Sequence, residues 1–508
     1  MGLNMPSKGT TVSGTIEAVR GMHDLLPAEQ QATERVRATL LATIGSYGYQ
    51  TIDLPIIEQR DLYMRKLGEE LAGKLYEFSF GGRDLALRPE WTASVLRAYV
   101  THLQEQPLPL RLSYAGPVFR YERPQRHTYR QFAQVGVELI GGPAPRADAE
   151  VLSLACAALD AVGCTTYRIQ LGHVGLVREI LARLGLTERA QGALVWSLER
   201  LRDGGPEALR AQLREDVGEQ PAGLSLPPGL DEAQATTWLL RTFDAMQIDL
   251  STGSRTPEEV VGRLLRKLRR TDDLPGIEHA LTILSQLSAI SGPPAESLPA
   301  VAALLAQYGL DCPAYAELQA ILDLTTIHGL DPSRLTIDFG LGRGLNYYTG
   351  MIFELEDQTG LQLCGGGRYD DLVTALGGRS AVPAVGFAYG LERVAASASP
   401  PRVDPQPLVL VAPVSDDDYA YGQEVARQLR AHGFVVSVDI RGRPLTRNLS
   451  DAAKRGITYV AIVGAAERES RTIVWRDLPN RSERHLSLAA ITALTGSAGG
   501  EAHHNQPT

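Results

Sequence analysis

Arginine and carboxylate residues are concentrated in segment 111–141, RLSYAGPVFRYERPQRHTYRQFAQVGVELIG, whose pattern predicts two strands joined by a polar loop. Successive strand side chains point to opposite faces, so Arg120 shares a face with Glu122, and Gln134 shares one with Glu138. Scattered charges can simply keep a surface soluble. Arginines and carboxylates directed together over a sheet fit an anionic ligand better.

A second polar position follows an apolar strand pattern in LALRPEWTASVLRAYV, residues 85–100. Glu90 precedes the predicted helix, and a carboxylate at the edge of a sheet suits a substrate ammonium group. Thr92 can serve the same ligand, or it can be the N-cap of the helix.

The third segment runs from IDFGLGRGLNYYTGMIFE through CGGGRYDDLV to AVPAVGFAYGLERV, within residues 337–394. The glycines at 365–367 allow a close approach of the backbone to a ligand, although a bulge or a tight turn would explain them equally well. Arg393 begins a helical pattern after GFAYG, where an arginine can face a triphosphate as a fixed cation.

Several site classes are excluded by the sequence. It contains neither G-x-x-x-x-G-K-[ST] nor a strand-borne G-x-G-x-x-G, so a nucleotide must be bound without a P-loop or dinucleotide fold. The four cysteines have no metal-ligand spacing, which predicts buried thiols and no zinc site. No apolar run reaches the roughly 18 residues that a membrane span requires, and no secretion signal begins the chain, so we expect a cytoplasmic protein.

The chain has 508 residues, enough for about three domains, and a net charge of -9. This charge argues against a surface built entirely for nucleic acid, but segment 441–455 has five basic residues and one acidic residue. Strand patterns before residue 160 resume after residue 335, and a Pro-rich stretch lies near 400. The expected parts are a disordered 1–14, a discontinuous α+β domain at 15–168 and 331–395, a helical insertion at 169–330, a linker at 396–407, an α/β domain with a largely parallel sheet at 408–495, and a disordered 496–508.

Together these motifs resemble the histidyl-tRNA synthetases, members of the class II synthetases. The similar strings are RGMHDLLPAE, FRYERPQ, YRQFAQVGVE, RGLNYY, GGRYDDLV and VGFAYGLER, in the family's order and across nearly the whole chain. The resemblance implies a class II antiparallel sheet with flanking helices, a helical insertion and an anticodon-binding-like domain. It further implies ATP as a substrate with Mg²⁺, tRNA(His) as a partner, and a homodimer.

Site roles follow from the resemblance position by position. It implies catalytic roles for Arg120, Arg343 and Arg393. It implies histidine binding by Glu90, Thr92, Gln134, Glu138, Tyr347 and Tyr348. It implies ATP binding by Arg120, Glu122, Arg393 and Gly390. It implies tRNA contacts by Arg123, Gln125, Arg126, Arg441, Arg443 and Arg447.

Some positions depart from the family pattern. Asn346 stands where RGLDYY has Asp, Thr128 stands where an Arg is usual, and Trp91 replaces a Gly. The string YRIQLGHVGLVREILARLGL is more similar to the regulatory subunit of ATP phosphoribosyltransferase, a synthetase paralogue that assembles with a short catalytic subunit. The retained arginines, the Glu of LRPE and the full C-terminal region favour an enzyme. A diverged domain for another amino acid or RNA is a third alternative.

Overall fold

A computed structural model describes residues 16–65, 73–123, 128–186, 274–341, 347–399 and 407–488, with shorter stretches between 191 and 265. The predicted disordered ends, 1–14 and 496–508, lie outside the described residues, as do 400–406 of the linker. The chain divides into two compact units, Met1–Pro401 and Arg402–Thr508.

A nine-stranded sheet forms the centre of the first unit, in the order β1-β5-β6-β12-β11-β10-β7-β9-β8. In this order, each of the strands β5, β6, β12, β11, β10 and β7 is antiparallel to the next. The sheet strands are β1 (Gln50–Thr51), β5 (Leu110–Phe119), β6 (Gln131–Ile140), β7 (Tyr167–His173), β8 (Ser291–Gly292), β9 (Leu335–Asp338), β10 (Met351–Asp357), β11 (Gln362–Arg368) and β12 (Ala384–Gly390). A separate antiparallel sheet contains β2 (Ile57–Gln59), β3 (Glu77–Phe80) and β4 (Arg83–Leu87).

Most of the described residues between β7 and β9 in sequence are helical, and helices pack against the sheet. They are α1 (Pro27–Ser46), α2 (Arg60–Met64), α3 (Thr92–Ala98), α4 (Arg146–Ala161), α5 (Val174–Arg183), α6 (Glu232–Ala245), α7 (Leu274–Ser288), α8 (Pro294–Gln307), α9 (Pro313–Ile327), α10 (Leu372–Ala375) and α11 (Leu391–Ser397). A π-helical turn, Tyr99–Leu103, continues α3, and a 3-10 turn, Pro332–Arg334, precedes β9. Residues 169–173, placed in the insertion by their sequence pattern, belong to β7 of the central sheet.

Alternation along β6 creates two different sheet faces. Val135, Val137 and Leu139 pack into the core that contains α1 and α4. Gln134 and Glu138 point to the opposite face, beside α3. The apolar residues on the first face bury the sheet against helices, and the polar residues are thereby fixed on the second face.

The second unit is a five-stranded sheet in the order β14-β13-β15-β16-β17. Only β14, β13 and β15 are parallel; β16 and β17 are antiparallel, so the sheet is mixed and less parallel than its sequence pattern predicts. The strands are β13 (Leu408–Pro413), β14 (Val435–Val438), β15 (Tyr459–Val463), β16 (Thr472–Asp477) and β17 (Ser482–Ser487). The helices are α12 (Tyr419–Ala431), α13 (Leu445–Lys454) and α14 (Ala465–Ser470), with a 3-10 turn at Asp416–Asp418.

Candidate functional site

Glu138 lies at the centre of a ring of hydroxyl groups on the second face of the sheet. Thr92 Oγ1 donates to Glu138 Oε1 over 2.7 Å and Tyr114 Oη donates to the same oxygen over 3.0 Å. Tyr369 Oη donates to Glu138 Oε2. Glu138 is only 1% exposed, and this burial raises the pKa of its carboxyl well above the ordinary value, although the Thr92 hydrogen bond lowers it.

Glu90 and Thr92 flank the start of α3 in different roles. The Glu90 carboxylate accepts a hydrogen bond from the Ala93 amide over 3.0 Å. Glu90 therefore provides the acceptor for an amide in the first turn of α3, and Thr92 does not. The N-cap interpretation of Thr92 is therefore wrong, because its hydroxyl is directed to Glu138. Burial raises the pKa of Glu90, while the Ala93 amide and the charge of Arg120 lower it.

Three tyrosine rings form a buried aromatic wall beside Glu138. Ring centroids lie 4.9 Å apart for Tyr347 and Tyr348, and 5.6 Å apart for Tyr347 and Tyr369. A Cβ on Gly367 would lie 2.8 Å from the Tyr348 ring. The glycines at 365–367 are thus regular residues of β11, and at least Gly367 makes room for an aromatic ring rather than for a turn or bulge.

Gln134 contributes an acceptor without a partner. It is 9% exposed, and its Oε1 is buried without a hydrogen bond within the described protein. A buried unsatisfied carbonyl is costly, so this atom suits a donor supplied by a ligand.

A cavity of about 150 Å³ contains the four residues predicted to bind ATP. Arg120 Nε donates to the Pro89 carbonyl over 2.8 Å, and its guanidinium lies 5.5 Å from the centre of the Phe132 ring. Arg393 donates to the Gln362 carbonyl over 3.2 Å. The full lining is Arg120, Glu122, Thr128, Tyr129, Phe132, Gly390, Glu392 and Arg393. The lining thus has two arginines beside two glutamates, and the arginines are the groups that can bind an anion.

Sequence reasoning missed several residues of this site. Tyr114 and Tyr369 hold Glu138, while Phe132 and Glu392 line the cavity. Tyr369 lies within the quoted GGRYDDLV motif, which could have indicated it. Glu392 accepts from the Ala133 amide over 2.8 Å, a contact 259 residues apart in sequence that no local pattern predicts.

Several other predicted positions lie outside the part of the chain that the structure describes. Arg343 lies outside the described residues, as do Asn346, Gln125 and Arg126. Arg123 is exposed at the described end of the hairpin.

The three arginines of the basic segment in the second unit differ in their ion pairing and exposure. Arg443 forms ion pairs with Asp439 at 3.0 Å and Asp451 at 2.6 Å. Arg441 and Arg447 are exposed. The open positive charge of the predicted tRNA surface is thus carried by Arg441 and Arg447 more than by Arg443.

Within the described ranges, no group of three or more His, Cys, Asp or Glu side chains is placed to hold a metal ion. The four cysteines are buried and free. None of the helices that the structure describes has both the length and the apolar character needed to cross a bilayer.

Comparisons with known proteins extend over both units. A family model described as Histidyl-tRNA synthetase matches residues 21–228 and 258–394, and one described as Anticodon binding domain matches 408–494. The histidine–tRNA ligase of Methanocaldococcus jannaschii is 32% identical over 478 residues, covering 93% of this chain and 98% of that one. The Archaeoglobus fulgidus enzyme of the same name is 31% identical, with coverages of 92% and 96%.

Two solved structures share the fold. The apo histidyl-tRNA synthetase of S. aureus has a TM-score of 0.62 at 24% identity, covering 95% of this chain and 100% of that one. A Bacillus halodurans structure titled as an ATP phosphoribosyltransferase regulatory subunit/histidyl-tRNA synthetase has a TM-score of 0.63 at 23% identity, covering 89% and 99%. Both confirm the fold class, and the relatives at 30% identity or more support the ligase interpretation over the regulatory one. The chain belongs to the histidyl-tRNA synthetase family.

Proposed function

We propose that this protein activates histidine with ATP and transfers the histidyl group to tRNA(His). The observation that carries the proposal is the division of one sheet face into two parts. One part is the buried Glu138 with its hydroxyl and tyrosine neighbours, and the other is the cavity that holds Arg120 and Arg393. An amino acid and a nucleotide fit these two parts side by side.

The Glu138 part suits histidine. Glu138 can accept from an imidazole N–H, and Tyr347 and Tyr348 supply aromatic surface for the ring. Glu90 and Thr92 suit the ammonium group, and the unsatisfied Gln134 oxygen offers it a further acceptor.

The cavity suits ATP. In the first step the histidine carboxylate attacks the α-phosphorus of ATP, an adenylate forms and pyrophosphate leaves. Arg120 stabilises the charge on the α-phosphate, and Arg393 binds the terminal phosphate. Arg343 is assigned beside the reacting phosphate, and Gly390 and Glu122 complete the ATP contacts.

Mg²⁺ is proposed to accompany ATP. It prefers phosphate and carboxylate oxygens and retains water, so a cage built by protein alone is not needed. Glu122 lines the cavity and is the carboxylate that would hold it. When bound, Mg²⁺ neutralises charge on the phosphates.

Contacts with tRNA are assigned to two regions. Arg123, Gln125 and Arg126 follow Glu122 in sequence and would meet the acceptor end. Arg441, Arg443 and Arg447 would attract the backbone near the anticodon. Exposed Arg441 and Arg447 support this role directly, whereas Arg443 would act by shaping the segment through Asp439 and Asp451.

A cytoplasmic homodimer completes the proposal. The three-stranded sheet places Ile57, Phe78 and Phe80 on one face, and their exposed fractions are 49%, 41% and 76%. An apolar face of this kind is typical of an interface, here with a second copy of the chain. The cytoplasm is the proposed location, because the proposed reaction supplies translation there.

Histidine-dependent ATP–pyrophosphate exchange, followed by charging of tRNA(His), tests the function. We expect exchange with the wild-type protein and its loss in Arg343→Ala. A wild-type protein that binds histidine in a calorimeter but shows no exchange would favour the regulatory-subunit alternative instead.

A further inference from the structure

Trp91, which departs from the family pattern, forms the middle layer of a buried three-part stack. The Arg88 guanidinium lies 3.5 Å from the centre of the indole ring. Tyr114 stacks on the indole, with centroids 4.9 Å apart and planes only 9° from parallel. Trp91 is 1% exposed, and its Nε1 donates to the Gly116 carbonyl over 3.3 Å. The indole is thus held in position by contacts on several sides.

Main-chain carbonyls fix the outer layer of the stack. Arg88 Nε donates to the Pro117 carbonyl over 2.8 Å, and Arg88 Nη1 donates to the Leu54 carbonyl over 2.9 Å. These acceptors are neutral, so no carboxylate among them competes with the cation–π contact between the guanidinium and the face of the indole. The stack is therefore anchored to the backbone at Leu54 and Pro117.

The strand pair β5–β6 is shaped to receive the two rings. A Cβ on Gly116 would lie 2.8 Å from the Trp91 ring, and a Cβ on Gly136 would lie 2.6 Å from Tyr114 Oη. Neither glycine has a positive φ, so the absence of a side chain, not backbone freedom, explains them. The space for the stack is built into the sheet.

The stack ends at the carboxylate assigned to histidine. The Tyr114 hydroxyl donates to Glu138 Oε1 over 3.0 Å. A tyrosine hydroxyl lies in the plane of its ring, so the indole face that fixes the Tyr114 plane also fixes the direction of this hydrogen bond. Among the described residues no hydrogen bond joins Trp91 to Glu138, so Trp91 acts through Tyr114.

We propose that Trp91 is a positioning residue for histidine recognition, because it holds Tyr114 and thereby orients Glu138. This inference rests on the proposed function. It assigns to Trp91 an effect on histidine use that is separate from ATP use, since the stack and the cavity have no residue in common.

The test is histidine-dependent ATP–pyrophosphate exchange with Trp91→Leu, Trp91→Phe and Tyr114→Phe. For Trp91→Leu we expect the KM for histidine to rise about tenfold, at the upper end of what an aromatic pair contributes, with the KM for ATP unchanged. Trp91→Phe retains a ring for Tyr114 and should recover most of the loss. Tyr114→Phe removes only the hydroxyl and should raise the same KM.

The double variant Trp91→Leu with Tyr114→Phe distinguishes positioning from general damage. If Trp91 acts through the Tyr114 hydroxyl, the double variant loses little more than Tyr114→Phe alone. The control is Trp475→Leu in the second unit, where an indole that is 2% exposed stacks on Tyr459 at 4.9 Å. It should leave the KM for histidine unchanged.

Additive losses in the double variant, or equal rises in the KM values for histidine and ATP, would overturn the inference. If Trp91→Leu does not fold, Trp91→Phe, Tyr114→Phe and the double variant that combines them give the same cycle with smaller effects. Absence of exchange in the wild-type protein is a failure of the proposed function; histidine binding by calorimetry in the same variants then decides the inference separately. If the wild-type protein does not bind histidine, both are overturned.

Discussion

Two buried carboxylates in the first unit have very different partners. Asp148 is fully buried, and it accepts a hydrogen bond from Arg368 Nε over 3.0 Å. Arg368 also forms an ion pair with Asp370 at 2.9 Å. Glu138 is equally buried but, among the described residues, its hydrogen bonds come from hydroxyl groups. Those donors are Thr92, Tyr114 and Tyr369.

The difference separates structure from function. Arg368 joins β11 to α4 through Asp148 and also donates to the Gly142 carbonyl. Its guanidinium is therefore paired with groups of the protein itself, which is a structural role. Glu138 is held in place by neutral donors without a compensating cation among them. Such a carboxylate is prepared for a proton donor or cation that arrives with a ligand.

The largest expected effect is the loss of stability in Asp148→Ala. Breaking a buried ion pair leaves the Arg368 charge uncompensated, and we expect about 3 kcal/mol of destabilisation because Asp370 remains. Urea denaturation measures it. Arg111→Ala, which removes the partly exposed ion pair with Glu150, is the control and should cost roughly 1 kcal/mol or less. Equal losses would contradict the assigned structural role.

The same distinction applies to two arginines of the second unit. Arg443→Gln leaves Asp439, with a side chain only 2% exposed, without its cation, so we expect roughly 2 kcal/mol of destabilisation. Exposed Arg447→Gln should leave stability unchanged. Thermal unfolding of both variants makes the comparison, and a reversed order would be incompatible with it.

For tRNA the order of the two arginines should be opposite. Arg447→Gln should weaken binding of tRNA(His) about threefold and reduce the slope of log affinity against log salt by about one. Filter binding at several salt concentrations checks this. An unchanged salt slope would remove Arg447 from the tRNA surface.

A smaller effect on stability is expected for Glu138→Gln. Glutamine has a similar volume, and its amide can still accept and donate hydrogen bonds among the three hydroxyls, so the free energy of unfolding should stay within about 1 kcal/mol. Urea denaturation at pH 7 tests this. A loss as large as that of Asp148→Ala would give Glu138 a structural role instead.

The pH dependence of that difference should have a definite sign. Burial raises the pKa of Glu138 above its ordinary value of 4.5, so above that pH the folded chain binds more protons than the unfolded chain. Stability from this group is present at low pH and falls as pH rises. Glu90 has the same direction and remains in both proteins. Glu138→Gln should therefore gain stability relative to wild type as pH rises above about 4.5; the opposite slope would be inconsistent.

Strand alternation predicted much of the site because β6 is regular and one of its faces is apolar. Gln134 and Glu138 indeed lie together on one face. The partners of Glu138 were harder to predict, because Tyr114 and Tyr369 are 24 and 231 residues away in sequence and meet only in the sheet. Thr92 was ambiguous because capping and ligand binding favour the same residue type.

The fold was predictable where patterns are local. The resumption of strands after residue 335 indicated a sheet built from two segments, and β7 and β10 are antiparallel neighbours within it. The boundary between the domain and the insertion was placed at 168, five residues too early, because α5 begins at Val174 directly after β7 and no loop separates Gly172 and His173 from the helix. Pairing with Met351 and Ile352 keeps them in the sheet.

The most direct test of the central claim, that Glu138 recognises histidine while Asp148 supports the fold, is histidine-dependent ATP–pyrophosphate exchange by Glu138→Gln and Asp148→Asn. We predict that Glu138→Gln lowers kcat/KM for histidine about a hundredfold, with an unchanged KM for ATP, because one acceptor oxygen becomes an N–H donor that cannot accept from the imidazole N–H. The folded fraction of Asp148→Asn should keep kcat/KM within a few fold. Normal histidine use by Glu138→Gln would contradict the account.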